Sequence, residues 1–196
     1  MSILTVGKRC IGVILGITAL VSGTVSAEEN FDVSEESFKC LFDMTPVRGF
    51  FVDNLAGNVE ETLAAAHSEN GGRYPEGSVV QLVPGEVMVK RAEGTSPATK
   101  DWEFFELDVS SGKTKIGKRG FVDVVNRFGG NCFGCHVQAE PQWDLVCETG
   151  HGCDPLPIGK VVISAIQKTD QRCSDTPALT DAEKKALMQM SAAASQ

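Results

Sequence analysis

Residues 78–91 read SVVQLVPGEVMVKR, two runs rich in β-branched residues that are separated by Pro84-Gly85. Such runs favour strands, and the Pro-Gly pair favours a tight turn, so this segment predicts a β-hairpin. Residues 102–109 (WEFFELDV) predict a third strand, and a fourth is expected within 115–125. Because these strands follow one another over short turns, we expect a small antiparallel sheet.

Helical segments flank the predicted sheet. Residues 59–68 carry acidic side chains in the first turn and are soon followed by a Gly pair, which is typical of a helix. Residues 180–183 (TDAE) match a capping box and predict a terminal helix. Residues 147–159 predict a constrained loop, and 28–37 a loose acidic segment. The expected fold class is α+β: a small antiparallel β-sheet with flanking helices and a loop-rich, disulfide-tied C-terminal part.

The overall composition excludes several classes of protein. The chain has 196 residues, with 26 Asp and Glu against 18 Lys and Arg, for a formal net charge of −8. Nucleic-acid binding needs clustered basic residues to neutralise phosphates, so we expect no nucleic-acid partner. A hydrophobic content of 42% is too high for a disordered chain and fits one globular domain.

The N-terminus has the layout of a secretory signal peptide. Lys8 and Arg9 precede the uncharged, mostly apolar run 11–25, which ends in small residues. A membrane anchor is the alternative, but a spanning helix needs about 20 apolar residues. We therefore predict a signal peptide over 1–27 and one mature domain over 28–196, exported to the periplasm and not membrane-bound after cleavage.

One motif carries recognisable chemistry: Cys132-Phe133-Gly134-Cys135-His136. The pattern C-x-x-C-H is the attachment motif of c-type haem. Two intervening residues place both thiols on one helical turn, where they can form thioethers with the two vinyl groups. The adjacent histidine then supplies the proximal ligand of the iron. The sequence predicts one covalent haem c per chain.

Three other interpretations of the thiol pair remain open. A thioredoxin-like redox pair would need a βαβ context, which the surrounding sequence does not provide. A zinc site could add Cys147 and Cys153, although their C-x5-C spacing is poor for zinc. A structural disulfide would leave the adjacent histidine without a role. Haem attachment requires export, which the predicted signal peptide supplies independently.

The other cysteines of the mature chain are Cys40, Cys147, Cys153 and Cys173, and four cysteines allow three connectivities. Closure of the short, glycine-containing loop between Cys147 and Cys153 is easy, which leaves Cys40 to pair with Cys173. The alternative is a metal site formed by Cys147, His151 and Cys153. Disulfides are favoured in an oxidising compartment.

The sixth coordination position of the iron has no clear ligand in the sequence. Electron-transfer cytochromes usually close that position with Met or His. None of the candidates lies in a Gly/Pro-flanked methionine loop of the kind found in small helical cytochromes. We therefore expect an open position in an apolar pocket that admits NO, CO or O2. The six candidates are Met44, Met88, Met188, Met190, His67 and His151.

The order of motifs is more specific than the haem motif alone. A helix leads to the Tyr-Pro-Glu-Gly turn and strand of 74–80, which is followed by VMVKR at 87–91 and DWEFF at 101–105. The haem motif comes next, and then WDLV at 143–146. In this order, residues 59–146 resemble the cytochrome P-460 family and its relative cytochrome c-prime-beta.

The resemblance implies an antiparallel-sheet cytochrome, often a homodimer, with a five-coordinate haem. Members of the family include hydroxylamine or NO oxidisers and gas-binding proteins. The family pattern covers a core of about 59–146 and leaves 147–196 as a C-terminal extension. The implied partners are a small diatomic ligand and a redox partner protein.

A lysine distinguishes the catalytic branch of that family, because it is covalently joined to the haem a few residues beyond the Pro-x-Gly turn. Counting from Gly77 places Leu82 at this position, whereas counting from Gly85 places Lys90 there. The first register preserves the preceding helix, so we expect Leu82 to form the distal wall of a gas-binding protein. The alternatives are an oxidoreductase of hydroxylamine or NO with Lys90 crosslinked, and a six-coordinate electron-transfer carrier.

Three further residues are expected near the haem. Trp102 and Phe104 share one face of their strand, since side chains alternate, and are expected to contact the haem, although core packing explains both equally well. Asp144 follows the motif closely and is expected to orient His136 through its second ring nitrogen.

Overall fold

The computed structural model describes Met1 and residues 31–194. Apart from Met1, the predicted signal peptide lies outside the described residues. The described part forms a six-stranded antiparallel sheet with four α-helices, which confirms the predicted α+β class. None of the helices found there is both long enough and apolar enough to cross a membrane.

The sheet is a meander in which each strand pairs with the next one along the chain. The predicted hairpin is present as the third and fourth strands, and the two further predicted strands follow as the fifth and sixth. The first two strands are absent from the sequence-based prediction, because both are short and one contains Pro46. The strands are β1 Thr45–Val47, β2 Phe50–Asn54, β3 Ser78–Val83, β4 Glu86–Lys90, β5 Trp102–Asp108 and β6 Lys115–Gly120.

The first two strands lie N-terminal to the core of 59–146 that the family resemblance covers. The sheet begins at Thr45, before the predicted core of 59–146, and β2 pairs with β3 over four residue pairs. Pro46 is tolerated because β1 is an edge strand, where a missing N–H costs no ladder hydrogen bond. Strands β1 and β2 are therefore part of the same sheet as β3.

Two of the four helices agree with the predictions. The helices are α1 Val59–His67, α2 Cys132–His136, α3 Lys160–Gln167 and α4 Asp181–Ala194. The capping box of α4 is present, since Thr180 N donates to Glu183 Oε2 at 2.7 Å and Glu183 N donates to Thr180 Oγ1 at 3.3 Å. The sequence did not predict α3, whose β-branched residues Val161, Val162 and Ile163 disfavour a helix.

The two faces of the sheet carry separate hydrophobic cores, because successive side chains of a strand point to opposite faces. The motif-side core contacts the Cys-x-x-Cys-His helix α2, and the opposite core lies beneath the N-terminal segment. Buried members of the motif-side core are Val47, Phe50, Val52, Ala66, Tyr74, Val80, Met88, Trp102, Phe104, Val124, Leu145 and Val146. Buried members of the opposite core are Val33, Phe38, Leu41, Met44, Phe51, Val79, Val87, Val89, Phe105 and Leu107.

The acidic segment that precedes the sheet is not loose where the structure describes it. Val33 is buried in the opposite core, and its carbonyl accepts a hydrogen bond from Arg119 Nη1 at 3.1 Å. Residues Glu35–Ser37 form a turn of 3-10 helix. The prediction of a loose 28–37 is therefore wrong for residues 31–37, because apolar residues among the acidic ones anchor the chain.

Both predicted disulfides are present. Cys40 pairs with Cys173 and so joins the start of the described chain to its C-terminal part, while Cys147 pairs with Cys153 within one loop. The second pairing rules out the alternative metal site at Cys147, His151 and Cys153, since both of its thiols are oxidised.

Candidate functional site

The motif Cys132–His136 forms a short helix of its own, α2. Asn131 caps its N-terminus, accepting a hydrogen bond from Gly134 N at 2.7 Å through its side-chain oxygen. The side-chain nitrogen of Asn131 donates to Val122 O at 2.8 Å, which fixes the helix to the preceding loop. One turn of helix therefore holds both thiols and the histidine in a defined arrangement.

Cys132 and Cys135 are the unpaired cysteines among the described residues. Cys132 is partly buried against the motif-side core, and Cys135 is exposed. Burial, together with the nearby carboxylates of Glu86 and Glu106, raises the pKa of the Cys132 thiol to about 12. At neutral pH this side chain is thus a protonated thiol.

His136 is held through one of its ring nitrogens. Its Nδ1 lies 2.7 Å from the carbonyl oxygen of Leu145, and because a carbonyl can only accept, Nδ1 carries the proton. Burial lowers the pKa of His136, an effect that the bond to Leu145 opposes in part. The neutral ring therefore presents the Nε2 lone pair, which is the form that binds a metal.

The Asp144 carboxylate does not bond the second ring nitrogen of His136, contrary to the prediction. Its carboxylate accepts hydrogen bonds from Lys90 Nζ at 2.7 and 3.0 Å and from the backbone nitrogen of Tyr74 at 2.9 Å. A buried ammonium group requires a counter-ion more strongly than a neutral imidazole N–H requires an acceptor, so the carboxylate pairs with the lysine. The partner of His136 is a backbone carbonyl, for which the sequence carries no side-chain signal.

Lys90 is 1% exposed, which is exceptional for a lysine. Besides Asp144, its amine donates to Lys100 O at 2.7 Å and lies 5.0 Å from the centre of the Trp102 ring. Burial lowers the pKa of Lys90, and Asp144 opposes that shift. Three acceptor oxygens occupy this amine, so a covalent link from Lys90 to a haem would first have to break a buried ion pair.

The two predicted aromatic residues share the motif-side face but lie at different distances from the motif. The Phe104 ring lies 5.2 Å from the His136 ring and 6.3 Å from that of Phe133, measured between centroids. Trp102 instead donates from Nε1 to Asp144 O at 2.7 Å. Phe104 therefore contacts the histidine directly, whereas Trp102 supports the segment behind it.

Leu82 packs against the same core as the motif. Its side chain is partly buried in the motif-side core together with Cys132 and Phe133. Its backbone carbonyl accepts a hydrogen bond from Gln167 Nε2 at 2.8 Å, which fixes this end of β3 to α3. The position is apolar and lies on the face of the sheet that contacts α2.

Two acidic residues near the motif were missed by the sequence analysis. Glu86 and Glu106 lie directly opposite each other on β4 and β5, on the same face as Met88. Burial raises the pKa of Glu86, and a hydrogen bond from Arg127 N at 2.9 Å opposes the shift. The alternation of side chains along the predicted hairpin would place Glu86 on this face, but no motif in the sequence indicated that α2 packs against it.

The six candidate axial residues occupy different environments. Met44 belongs to the opposite core, and Met88 to the motif-side core. The His67 and Met188 side chains are exposed, and that of Met190 is partly exposed. His151 stacks on Trp143 with ring centroids 3.8 Å apart, and its Nδ1 donates to Val146 O at 2.7 Å. Met88 is thus the candidate that shares a core with Cys132.

Apolar side chains remain exposed on both sides of α2. The relative exposures of Val122, Phe128 and Val137 are 69%, 46% and 52%.

No protein-family model, curated protein or solved structure matches this chain. The site is therefore interpreted from its own chemistry.

The donor set fits a covalently attached haem. Two unpaired thiols lie on one helical turn, and a neutral imidazole follows them in the chain. A four-thiolate zinc site would also need Cys147 and Cys153, which are oxidised to a disulfide.

Proposed function

We propose that this protein is an exported mono-haem c-type cytochrome that binds a small gas such as NO at a five-coordinate haem. One observation carries the proposal. The two unpaired cysteines of the described chain are Cys132 and Cys135, one helical turn apart, and they are followed by a histidine whose Nδ1 is already bonded to Leu145 O. Four other cysteines of the same chain are paired in disulfides.

Each residue of the site has a distinct role in this proposal. Cys132 and Cys135 form the thioether tethers, and His136 is the proximal ligand through Nε2. Phe104 packs beside the imidazole, and Leu82, which packs against the same core, would form part of the apolar surroundings of the haem. The haem, when bound, supplies an iron with one free coordination position. An apolar pocket favours a neutral diatomic over an anion, because it offers no donor to replace the anion's hydration.

Export to the periplasm is part of the proposal. Disulfides persist in oxidising compartments, and two are present here. Haem attachment to a C-x-x-C-H motif likewise takes place after export, and residues 1–27 have the layout of a signal peptide. The resemblance of 59–146 to the cytochrome P-460 and c-prime-beta family supports the same conclusion. A homodimer and a redox partner protein stay predictions.

A six-coordinate electron-transfer carrier is the second candidate, and one observation favours it. Met88 is 3% exposed and belongs to the same core as Cys132 and Phe133, so a thioether sulfur lies on the proposed haem face. The oxidoreductase with a Lys90–haem crosslink has less support, because the Lys90 amine is held by Asp144.

Optical spectroscopy tests the proposal and separates the candidates. The full chain is expressed together with a c-type haem attachment system and purified from the periplasm. We expect a five-coordinate, high-spin ferrous spectrum that shifts on addition of NO and is unchanged in Met88→Leu. A low-spin spectrum that becomes high-spin in Met88→Leu would instead support the carrier. A matured protein without any haem absorption would refute both.

A further inference from the structure

The segment after the proposed haem-binding motif has an unusual backbone. Asp144 and Leu145 are consecutive non-glycine residues in the left-handed region, with φ of 49° and 66°. L-amino acids other than glycine adopt this conformation at a cost in free energy, so neighbouring contacts must hold it in place. The conformation matters because the Leu145 carbonyl is the hydrogen-bond partner of His136 Nδ1.

Three buried contacts hold Asp144. Its carboxylate is paired with the Lys90 ammonium at 2.7 Å, and the side chains of this pair are 2% and 6% exposed. The same carboxylate accepts from Tyr74 N, and the Asp144 carbonyl accepts from Trp102 Nε1 at 2.7 Å. Lys90 and Trp102 lie directly opposite each other on β4 and β5, so these contacts connect Asp144 to the rigid interior of the sheet.

We propose that the Lys90–Asp144 ion pair is a positioning device for the proximal histidine, acting through the carbonyl of Leu145. The inference rests on the proposed function, since it assigns His136 as the ligand. The pair fixes the left-handed turn at 144–145, the turn directs the Leu145 carbonyl to Nδ1, and that hydrogen bond sets the ring orientation and the tautomer. Lys90 is thereby a positioning residue and is not crosslinked.

The hydrogen bond has a predictable effect on the ligand. A short Nδ1–H···O=C bond increases the electron density on the imidazole, and hence the basicity of Nε2. Stronger donation from Nε2 stabilises ferric over ferrous iron and so lowers the reduction potential. Weakening the Lys90–Asp144 pair should therefore lower the Fe–His stretching frequency and raise the reduction potential.

The test compares ion-pair variants with a matched control in the full chain. Asp144→Asn removes the charge but keeps an acceptor for Tyr74 N, and asparagine tolerates the left-handed backbone. Lys90→Gln removes the ammonium group of the same ion pair. The control is Asp170→Asn, which removes another buried carboxylate from its pair with Arg172, at 2.8 Å, beside Leu41 of the opposite core.

Two readouts are needed, one with haem and one without. In the haem-loaded protein, the Fe–His stretching band is recorded by resonance Raman spectroscopy and the reduction potential by titration. In a haem-free protein with Cys132→Ser and Cys135→Ser, nitrogen NMR of His136 reports the tautomer and the Nδ1–H bond. The thermal midpoint of each variant reports the purely structural cost.

The expected result is a downward shift of the Fe–His band and a higher potential in Asp144→Asn and Lys90→Gln, with neither change in Asp170→Asn. The haem-free variants should show loss of the single Nδ1–H tautomer. If all three variants lose thermal stability alike while the Raman and NMR signals of His136 stay at wild-type values, the inference is overturned. Failure of the proposed function is a separate result, namely a wild-type protein that acquires no covalent haem.

Discussion

The two faces of the sheet are closed in different ways. On the opposite face, apolar residues from the segment before β1 cover the strands. The Cys40–Cys173 disulfide and the buried Asp170–Arg172 ion pair hold this segment in place. On the motif face, a helix of only five residues lies over the core, with two reduced cysteines and exposed apolar residues around it.

The cysteines of the two faces are in different chemical states. Cys40 and Cys173 on the opposite face are oxidised, and their crosslink stabilises the fold, whereas the thiols of α2 are unpaired, with Cys132 partly buried and Cys135 exposed. The motif face is the part of the fold to which the proposed function assigns the haem. Changes on the two faces should therefore affect different observables.

The largest expected effect is on the motif face. The double variant Cys132→Ser/Cys135→Ser should lose covalent haem completely while retaining the fold, because both side chains are at most partly buried. Haem staining after denaturing electrophoresis measures attachment, and far-UV circular dichroism measures the fold. The matched variant Cys147→Ser/Cys153→Ser should keep its haem. Loss of haem in both double variants would show that attachment does not depend specifically on the two thiols of α2.

The second effect concerns stability and belongs to the opposite face. Cys40 and Cys173 are 133 residues apart, so in the chain-entropy model replacing both with Ala lowers the free energy of unfolding by about 4–5 kcal/mol. The Cys147–Cys153 loop spans 6 residues, and its removal should cost about 2 kcal/mol. Urea unfolding measures both values, and equal losses would contradict the account.

Two adjacent phenylalanines form a matched pair that tests the difference between the two faces. Phe104 and Phe105 are 2% and 1% exposed and lie on opposite faces of β5. Each change to Ala should cost about 3–5 kcal/mol of stability. Only Phe104→Ala should also alter the haem spectrum, because its ring packs 5.2 Å from His136. Identical absorption spectra of the two variants would argue against a haem beside Phe104.

The smallest effect is a pH dependence on the opposite face. Burial raises the pKa of Asp170, but hydrogen bonds from Arg172 and Leu41 N outweigh it, so the net pKa is lowered. The resulting stabilisation is present above the unfolded pKa of about 3.9 and is lost as the pH falls through the folded value. The urea midpoint of wild type should fall more steeply below about pH 5 than that of Asp170→Asn. If the urea midpoints of the two proteins changed equally with pH, the lowered pKa of Asp170 would not be the cause.

The parts of the fold that were predicted from sequence are those with local signals. The Pro84-Gly85 turn, the strand alternation and the capping box of α4 each depend on neighbouring residues, and all three are present. Strands β1 and β2 were missed because they are short and gain their stability from strand pairing, β1 with β2 and β2 with β3. The helix α3 overrides the β propensity of its residues by packing on β3 and α4.

In the candidate site, too, local patterns were predicted and long-range contacts were not. The spacing of Cys132, Cys135 and His136 is a local pattern, and elimination led to the correct disulfides. The partner of His136 could not be predicted, because a backbone carbonyl leaves no signature in the sequence. The pairing of Asp144 with Lys90 was missed as well, since it joins residues 54 positions apart and depends on how the C-terminal segment packs on the sheet.

Intact-mass analysis of the full chain, matured in the periplasm with a haem attachment system, decides whether the protein carries a covalent haem. We expect a mature chain carrying the mass of one covalently bound haem, with Cys132 and Cys135 no longer available to a thiol reagent under denaturing conditions. A mature chain without added mass, in which both thiols react, would contradict the proposed haem attachment.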